Sequence, residues 1–353
     1  MKNIFVGDID KIITEVTGKV VLITSPSVQK IKSVKAVISV LKNTSKVSKL
    51  SIFNISPDAP LNELETIVTQ TEKPDVLIAI GGGSVIDSAK ALSLCWHSSS
   101  VFDLFYKRSE IPYQKIKLIV APTTFGTGAE LSHGAILYDK EKQIKSGIRS
   151  PFLQPDKVII DYKLNLSAPP KLKAETGFDC LTHAIETYCS NLSNGLAKYQ
   201  SVKAIDTVLK NLPKAVNLVE ESIEQMAFAS AMMGINLATS STCLPHRIQY
   251  IIGPETNTSH AQGLIMLYRG WIPKISKEPV FQELANDLGI SKSVLVSSIS
   301  DLKKELSIDY KLSDFNFEVD RVTYLSESVT GNVNADPSYT SIETIKEIIE
   351  DSI

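Results

Sequence analysis

The sequence predicts an N-terminal α/β domain built on a mostly parallel sheet, followed by an all-helical domain. Three observations carry this. Short β-branched runs alternate with helix-period segments through the first half, glycine-rich turns close two of those runs, and strand signals nearly vanish after residue 168. At 353 residues the chain is long enough for two domains.

Val20 to Thr24 (VVLIT) fits a buried parallel strand. The segment from Val28 to Asn43 then carries Ile31, Val34, Val37, Ile38 and Leu41 at helical spacing. Leu50 to Ile55 reads as a second strand, and Leu61 to Gln70 as a helix opened by the turn Asp58-Ala59-Pro60. Val76 to Ile80 (VLIAI) is the clearest strand; it runs into Gly81-Gly82-Gly83-Ser84, after which Val85 to Leu94 is helical again. Ile116 to Ala121 is a further strand ending at Pro122. Such alternation gives parallel strands with helices on both faces. Beyond Ala168 the 3.6-residue period marks helices over 171–190, 198–209, 223–238, 259–268, 280–288, 294–306 and 342–349, with polar breaks at Asn191–Asn194 and Pro254–Thr258. The domains are expected to divide near Asp161–Ser167, as 1–162 and 163–353. A cleft between two such domains is a favoured place for cofactor and substrate.

Composition narrows the function classes. The chain is 43% apolar and 22% charged, which argues against a disordered or fibrous protein. With 37 basic and 39 acidic side chains, it offers no electrostatic reason to expect nucleic acid or an anionic membrane as a partner. No apolar run approaches the roughly 20 residues of a membrane span. The opening Met-Lys-Asn-Ile-Phe-Val-Gly-Asp reaches an acid before a secretory apolar stretch could develop, so no signal peptide is expected. Cys95, Cys180, Cys189 and Cys243 are too few for a disulfide scaffold and lack Cys-x-x-Cys spacing, as expected for reduced thiols of a cytoplasmic protein.

Two turns point to a ligand. In Gly81-Gly82-Gly83-Ser84, glycine lets the backbone approach closely, and N–H groups at a helix start suit a pyrophosphate. Ile86 stands where the G-x-G-x-x-G fingerprint has its last glycine, so the turn alone also fits a purely geometric role. Pro122-Thr123-Thr124-Phe125-Gly126-Thr127-Gly128-Ala129-Glu130 likewise follows a strand and gathers three hydroxyls with two glycines. Its plain alternative is a tight loop with capping threonines.

A third cluster points to a metal. Asp179 and His183 are four apart in a helical stretch and share one helix face. Alone the pair says little, because hydrogen-bonded surface pairs have the same spacing. His246 and His260 lie in the same helical half, and the polar turn at Pro254–Thr258 would let two antiparallel helices face each other. One carboxylate and three imidazoles suit a divalent first-row ion with open positions, Fe(II) or Zn(II). Three of only five histidines are used; His97 and His133 are expected to be structural.

These segments resemble the iron-containing (group III) alcohol dehydrogenase family over nearly the whole chain. The resemblance is carried by Gly81-Gly82-Gly83-Ser84-Val85-Ile86-Asp87-Ser88-Ala89-Lys90, by Pro122 to Glu130, by Gly177-Phe178-Asp179-Cys180-Leu181-Thr182-His183-Ala184-Ile185-Glu186, and by the fourteen-residue separation of His246 and His260. It implies a Rossmann-like nucleotide-binding domain, a helical metal-binding domain, a dehydroquinate synthase-like architecture overall, and a nicotinamide held between the domains. By position, Gly82, Gly83 and Ser84 would hold the pyrophosphate of NAD(P)H, with Asp87 at the pocket edge. Thr123, Thr124, Thr127 and Leu131 would line the adenosine and nicotinamide path. Lys145 would touch the ribose region, although by itself it reads as a solvated strand lysine. Asp179, His183, His246 and His260 would bind one Fe(II) or Zn(II). The implied reaction is reduction of a small aldehyde, polarised by the metal and reduced by nicotinamide hydride, in a homodimer or larger homo-oligomer.

Three positions depart from the family's pattern. Ser25 stands where NAD-preferring relatives often carry an acid that binds the adenosine ribose; without that carboxylate a 2′-phosphate is acceptable and NADPH is slightly favoured. Tyr250 stands four residues after His246, where many relatives carry another histidine. Its hydroxyl is expected to contact substrate or relay a proton. A tyrosine here resembles the branch that contains phosphonoacetaldehyde reductases, which make 2-hydroxyethylphosphonate. Arg247 stands where small residues are usual. Its guanidinium suits a phosphonate or carboxylate, or equally a salt bridge on a helix surface. The leading expected substrate is phosphonoacetaldehyde; other small aldehydes, or an aldehyde on a natural-product or peptide intermediate, are the alternatives. Two other classes stay open: a relative of the sugar-phosphate cyclases, disfavoured by the Asp179/His183 pair and the His246–His260 spacing, and a non-catalytic assembly protein, which predicts lost ligands where all four remain.

Overall fold

Runs of apolar residues buried on both faces are what a parallel sheet between helix layers requires, and the computed structural model has them in its first unit. It describes residues 3–96 and 100–353, so His97 lies outside the described residues. The chain divides into two units, one extending to Thr124 and resuming over Gly128–Ala168, the other comprising Phe125–Thr127 and Pro169–Ile353.

The strands of the first unit are β1 (Ile4–Val6), β2 (Gly18–Thr24), β3 (Val47–Asn54), β4 (Val76–Gly81), β5 (Lys117–Pro122), β6 (Gly134–Asp139), β7 (Ile144–Arg149) and β8 (Lys157–Ile160). Its helices are α1 (Ile9–Ile12), α2 (Lys32–Asn43), α3 (Leu61–Gln70), α4 (Gly83–Cys95), α5 (Val101–Phe105) and α6 (Lys163–Leu166). Six strands form one parallel sheet in the order β1-β8-β5-β4-β2-β3. Leu22, Ile78, Ile80, Ile119 and Ile159 of that sheet pack with Val34, Val37 and Leu41 of α2 in one buried core.

The strand order also locates a crevice. From β2 the chain steps outward to β3, then returns past β2 to β4 and continues the other way. That reversal is a topological switch point, where open parallel sheets take ligands at the carboxyl ends of their strands. Ser25 follows β2, Gly82 follows β4 and Thr123 follows β5.

The sheet agrees with the sequence reading in class, with additions. Strands β1 and β8 have three and four residues and join the sheet at one side. Strands β6 and β7 form a separate antiparallel hairpin. The helix expected from Val28 begins at Lys32, after a 3-10 turn at Val28–Lys30, because Ile31 is extended.

Helix α4 is buried along almost its whole length, Lys90 included. The Lys90 ammonium is 0% exposed; it donates to the carbonyls of Ala129 and Gly134 and to the Ser132 hydroxyl, with Asp87 at 3.7 Å. Glu130 is buried nearby, and that burial pushes its carboxyl up to about 7. The folded state therefore holds this proton more tightly than the unfolded chain does. The resulting stability is complete below the unfolded value of 4.5 and is lost as pH rises through about 7. Replacing Glu130 with glutamine is expected to flatten the fall in Tm between about pH 5 and pH 8, worth on the order of 2–3 kcal/mol. Calorimetry at both pH values checks this, and parallel slopes for parent and variant would refute it.

The second unit is helical throughout: α7 (Pro170–Cys189), α8 (Gly195–Val216), α9 (Glu220–Thr239), α10 (Leu244–Thr256), α11 (His260–Ile275), α12 (Pro279–Asp287), α13 (Lys292–Glu305), α14 (Val322–Ser328) and α15 (Ile342–Glu350). One correction concerns the expected break at Pro254–Thr258. Pro254 sits in the last turn of α10, and the helix ends only at Thr256, where Asn257 turns left-handed at φ 51°. Ser259 then caps α11 in a capping box with Gln262.

Candidate metal centre

Three helices of the second unit bring the four expected ligands together. On α7, Asp179 and His183 are one turn apart, and His183 Nδ1 lies 3.3 Å from Asp179 Oδ1. His246 stands in the first turn of α10, and His260 opens α11. Asp179, His246 and His260 each offer a ligand atom, and these atoms all lie within 4.8 Å of one another. His183 joins them through its Nε2, 3.0 Å from His246 Nε2. A β-carbon at Gly126 would fall 2.6 Å from the Thr176 carbonyl oxygen and 3.2 Å from Asp179 Oδ2, so only glycine lets this loop approach α7.

Contacts behind the imidazoles fix their tautomers. Glu186 Oε2 accepts from His246 Nδ1 at 2.8 Å and from the Cys243 amide at 2.8 Å. Gln249 Oε1 accepts from His260 Nδ1 at 2.5 Å. Each contact leaves Nε2 with its lone pair, the state a metal ligand needs. Burial holds the His246 imidazolium well below the usual histidine range and pushes the Glu186 carboxyl well above its own. His183 Nδ1 is buried and has no hydrogen-bond partner among the described residues. One carboxylate and three imidazoles fit a divalent ion. Asp336 steadies the start of α10 by accepting from the Leu244 amide at 2.9 Å and from Trp271 Nε1 at 2.7 Å.

Glu186, Gln249 and Asp336 were not singled out from the sequence. Glu186 had a signal: residues 179, 183 and 186 fall on one helix face. The other two have none, because their partners are set by tertiary packing.

Tyr250 stacks on His260, with ring centroids 6.1 Å apart and planes 21° from parallel. Arg247 is 9% exposed, which corrects the reading of it as a helix-surface salt bridge. Its Nη2 donates to the Ser241 and Thr242 hydroxyls, both at 3.1 Å, and its Nε has no hydrogen-bond partner among the described residues. Among the described residues, no carboxylate forms an ion pair with it.

The expected cofactor residues lie mostly in the first unit. Gly82 is the N-cap of α4, and a β-carbon there would stand 3.4 Å from Thr124 Oγ1. Ser84 Oγ accepts from the Asp58 amide at 3.0 Å, and Lys145 Nζ pairs with Asp58 Oδ1 at 2.5 Å. Ser84 and Lys145 thus meet at one aspartate. The Lys145 side chain is 6% exposed, so it is not a solvated strand lysine. Ser25 Oγ lies 3.2 Å from Ser27 Oγ. Asp87 accepts from the Ile136 amide at 2.9 Å, which with Lys90 engages its carboxylate internally. Leu131 is buried, and Thr127 groups with the helical unit.

Residues 4–162 match the family model for iron-containing alcohol dehydrogenase, and residues 173–353 match the C-terminal model of the Fe-containing alcohol dehydrogenase family. The chain belongs to the iron-containing alcohol dehydrogenase family. As a member it is an oxidoreductase, of iron-type alcohol or aldehyde dehydrogenase activity. It is 26% identical over 297 residues to the NADPH-dependent butanol dehydrogenase of Clostridium saccharobutylicum, covering 79% of this chain and 76% of that one. It is 29% identical over 196 residues to the sulfoacetaldehyde reductase of Bilophila wadsworthia, covering 55% of this chain and 50% of that one. The crystal structure of the Bifidobacterium kashiwanohense sulfoacetaldehyde reductase in complex with NAD+ has the same fold, with a TM-score of 0.87 at 24% identity over 99% of this chain and 96% of that one. No helix among the described residues is long and apolar enough to cross a membrane.

Proposed function

We propose that this iron-containing alcohol dehydrogenase family member reduces an aldehyde that carries an anionic group, with phosphonoacetaldehyde, reduced to 2-hydroxyethylphosphonate, as its leading substrate. Arg247 carries the reading. A buried charge needs a counter-charge or dense hydrogen bonding, and two neutral hydroxyls with an unpartnered Nε supply only part of that. A phosphonate, sulfonate or carboxylate would complete it through the guanidinium fork. Arg247 follows the expected ligand His246 directly and precedes Tyr250 by one turn. Two of the similar proteins are, by name, reductases of sulfoacetaldehyde, itself an anionic aldehyde.

Asp179, His183, His246 and His260 would hold Fe(II) or Zn(II). When bound, such an ion polarises a carbonyl as a Lewis acid. Glu186 and Gln249 keep two imidazoles in the liganding tautomer. The Tyr250 hydroxyl, on the residue stacked against His260, would orient the substrate oxygen or pass it a proton. The N–H groups at Gly82, Gly83 and Ser84, at the start of α4, would take the cofactor pyrophosphate, with Thr123, Thr124, Thr127 and Leu131 along the dinucleotide and Lys145, held by Asp58, near the ribose. Ser25 offers no carboxylate against a 2′-phosphate, so NADPH is favoured. The balance is aldehyde plus NAD(P)H plus a proton giving alcohol plus NAD(P)+. The four cysteines are buried and form no disulfide with one another, which suits the reducing cytoplasm where we place the enzyme.

The test is a panel of phosphonoacetaldehyde, sulfoacetaldehyde and butanal with NADH and NADPH on metal-defined protein, followed by nicotinamide absorbance. The highest kcat/KM is expected for an anionic aldehyde with NADPH. A preference for butanal would remove the anion reading, and a large NADH preference the role given to Ser25. Absence of net cofactor consumption with either iron or zinc would remove the reductase assignment, since a cyclase regenerates its cofactor.

A further inference from the structure

Gln249 is fully buried where α10 meets α11, in space that two glycines leave open. A β-carbon at Gly263, three residues after His260, would fall 2.7 Å from Gln249 Cγ. One at Gly253, a turn beyond Gln249, would fall 2.6 Å from its Nε2. The helix contact is therefore shaped around this amide. Its Nε2 is buried with no hydrogen-bond partner among the described residues, an unfavourable arrangement that an apolar side chain of the same size would avoid. What the amide does provide is an oxygen acceptor 2.5 Å from His260 Nδ1.

We propose that Gln249 is the positioning residue of His260, holding its proton on Nδ1 and its ring plane so that Nε2 faces Asp179 and His246. The proposal rests on the reading that these residues and His183 hold a divalent ion. It also makes the two supported imidazoles unequal: His246 is backed by the Glu186 carboxylate, His260 by a neutral amide, so His260 is the weaker donor and the ligand more sensitive to its support.

The test uses the full chain, stripped by chelation and reloaded with Zn(II) or Co(II), with affinity read by competition against a chromophoric chelator. Gln249→Met keeps the volume but offers no comparable acceptor. It is expected to weaken binding by about 10- to 100-fold and to shift the ligand-field bands of the Co(II) form. Gln249→Glu restores an oxygen acceptor and is expected to bind within about threefold of the parent, or more tightly. Melting of the metal-free proteins reports folding. Should Gln249→Met not fold, Gly263→Ala, which displaces the Gln249 side chain, takes its place with the same expected loss. A folded Gln249→Met with parental affinity and unchanged bands would overturn the proposal, as would equal losses in Gln249→Met and Gln249→Glu. A parent chain that binds neither ion would instead overturn the metal-centre reading beneath it.

Discussion

Replacing His246 with alanine is expected to abolish stoichiometric ion binding and to lower kcat/KM for aldehyde reduction by about 10³-fold or more. His246 has the densest connections in the cluster. Its Nε2 is 3.0 Å from His183 Nε2 and 3.9 Å from Asp179 Oδ1, and its Nδ1 meets Glu186 at 2.8 Å. Losing a Lewis acid that contributes several kcal/mol to charge stabilisation gives the size of the rate effect. The fold should survive, because Glu186 still receives the Cys243 amide at 2.8 Å and the Tyr268 hydroxyl at 3.4 Å. Elemental analysis of the purified variant, with steady-state rates and circular dichroism, makes the comparison. A folded variant that keeps one ion per chain and a rate within tenfold of the parent would contradict the assignment.

Replacing Arg247 with alanine is expected to collapse discrimination between anionic and neutral aldehydes. A charge-assisted hydrogen bond contributes about 1.5–3 kcal/mol, so kcat/KM for an anionic aldehyde should fall about 10- to 150-fold relative to that for butanal. The loss should appear mainly in KM, because the guanidinium holds a group remote from the reacting carbon and acts on ground and transition states alike. Proportional losses for charged and neutral substrates would mean that Arg247 serves only the packing around Ser241, Thr242 and Gly331.

The sequence was most legible where one local pattern sufficed. The VLIAI run of β4 is buried at every position, and Leu61–Gln70 is helical over the span its periodicity predicts. Asp179 and His183 were readable because four residues make one helical turn. Short or non-local features were not. Three residues of β1 give no periodicity, and the hairpin of β6 and β7 is joined by Lys140-Glu141-Lys142-Gln143, which reads as solvated loop. The end of α10 was misplaced because Pro254 signals a break, although proline in a last turn leaves the preceding turns intact. Lys145 and Arg247 both look solvated by type. Asp58, 87 residues from Lys145 in sequence, explains the burial of the first. For Arg247, burial without a carboxylate partner is visible only in three dimensions.

The Asp336 carboxylate has a consequence for biosynthesis. It receives the amide of Leu244 from 92 residues further along the chain. Translation proceeds from the N-terminus, so the ribosome releases His246 and Arg247 well before the group that anchors their helix start exists. A nascent chain stalled ahead of Asp336 is therefore expected to carry His246 and Arg247 on a helix start that lacks this anchor.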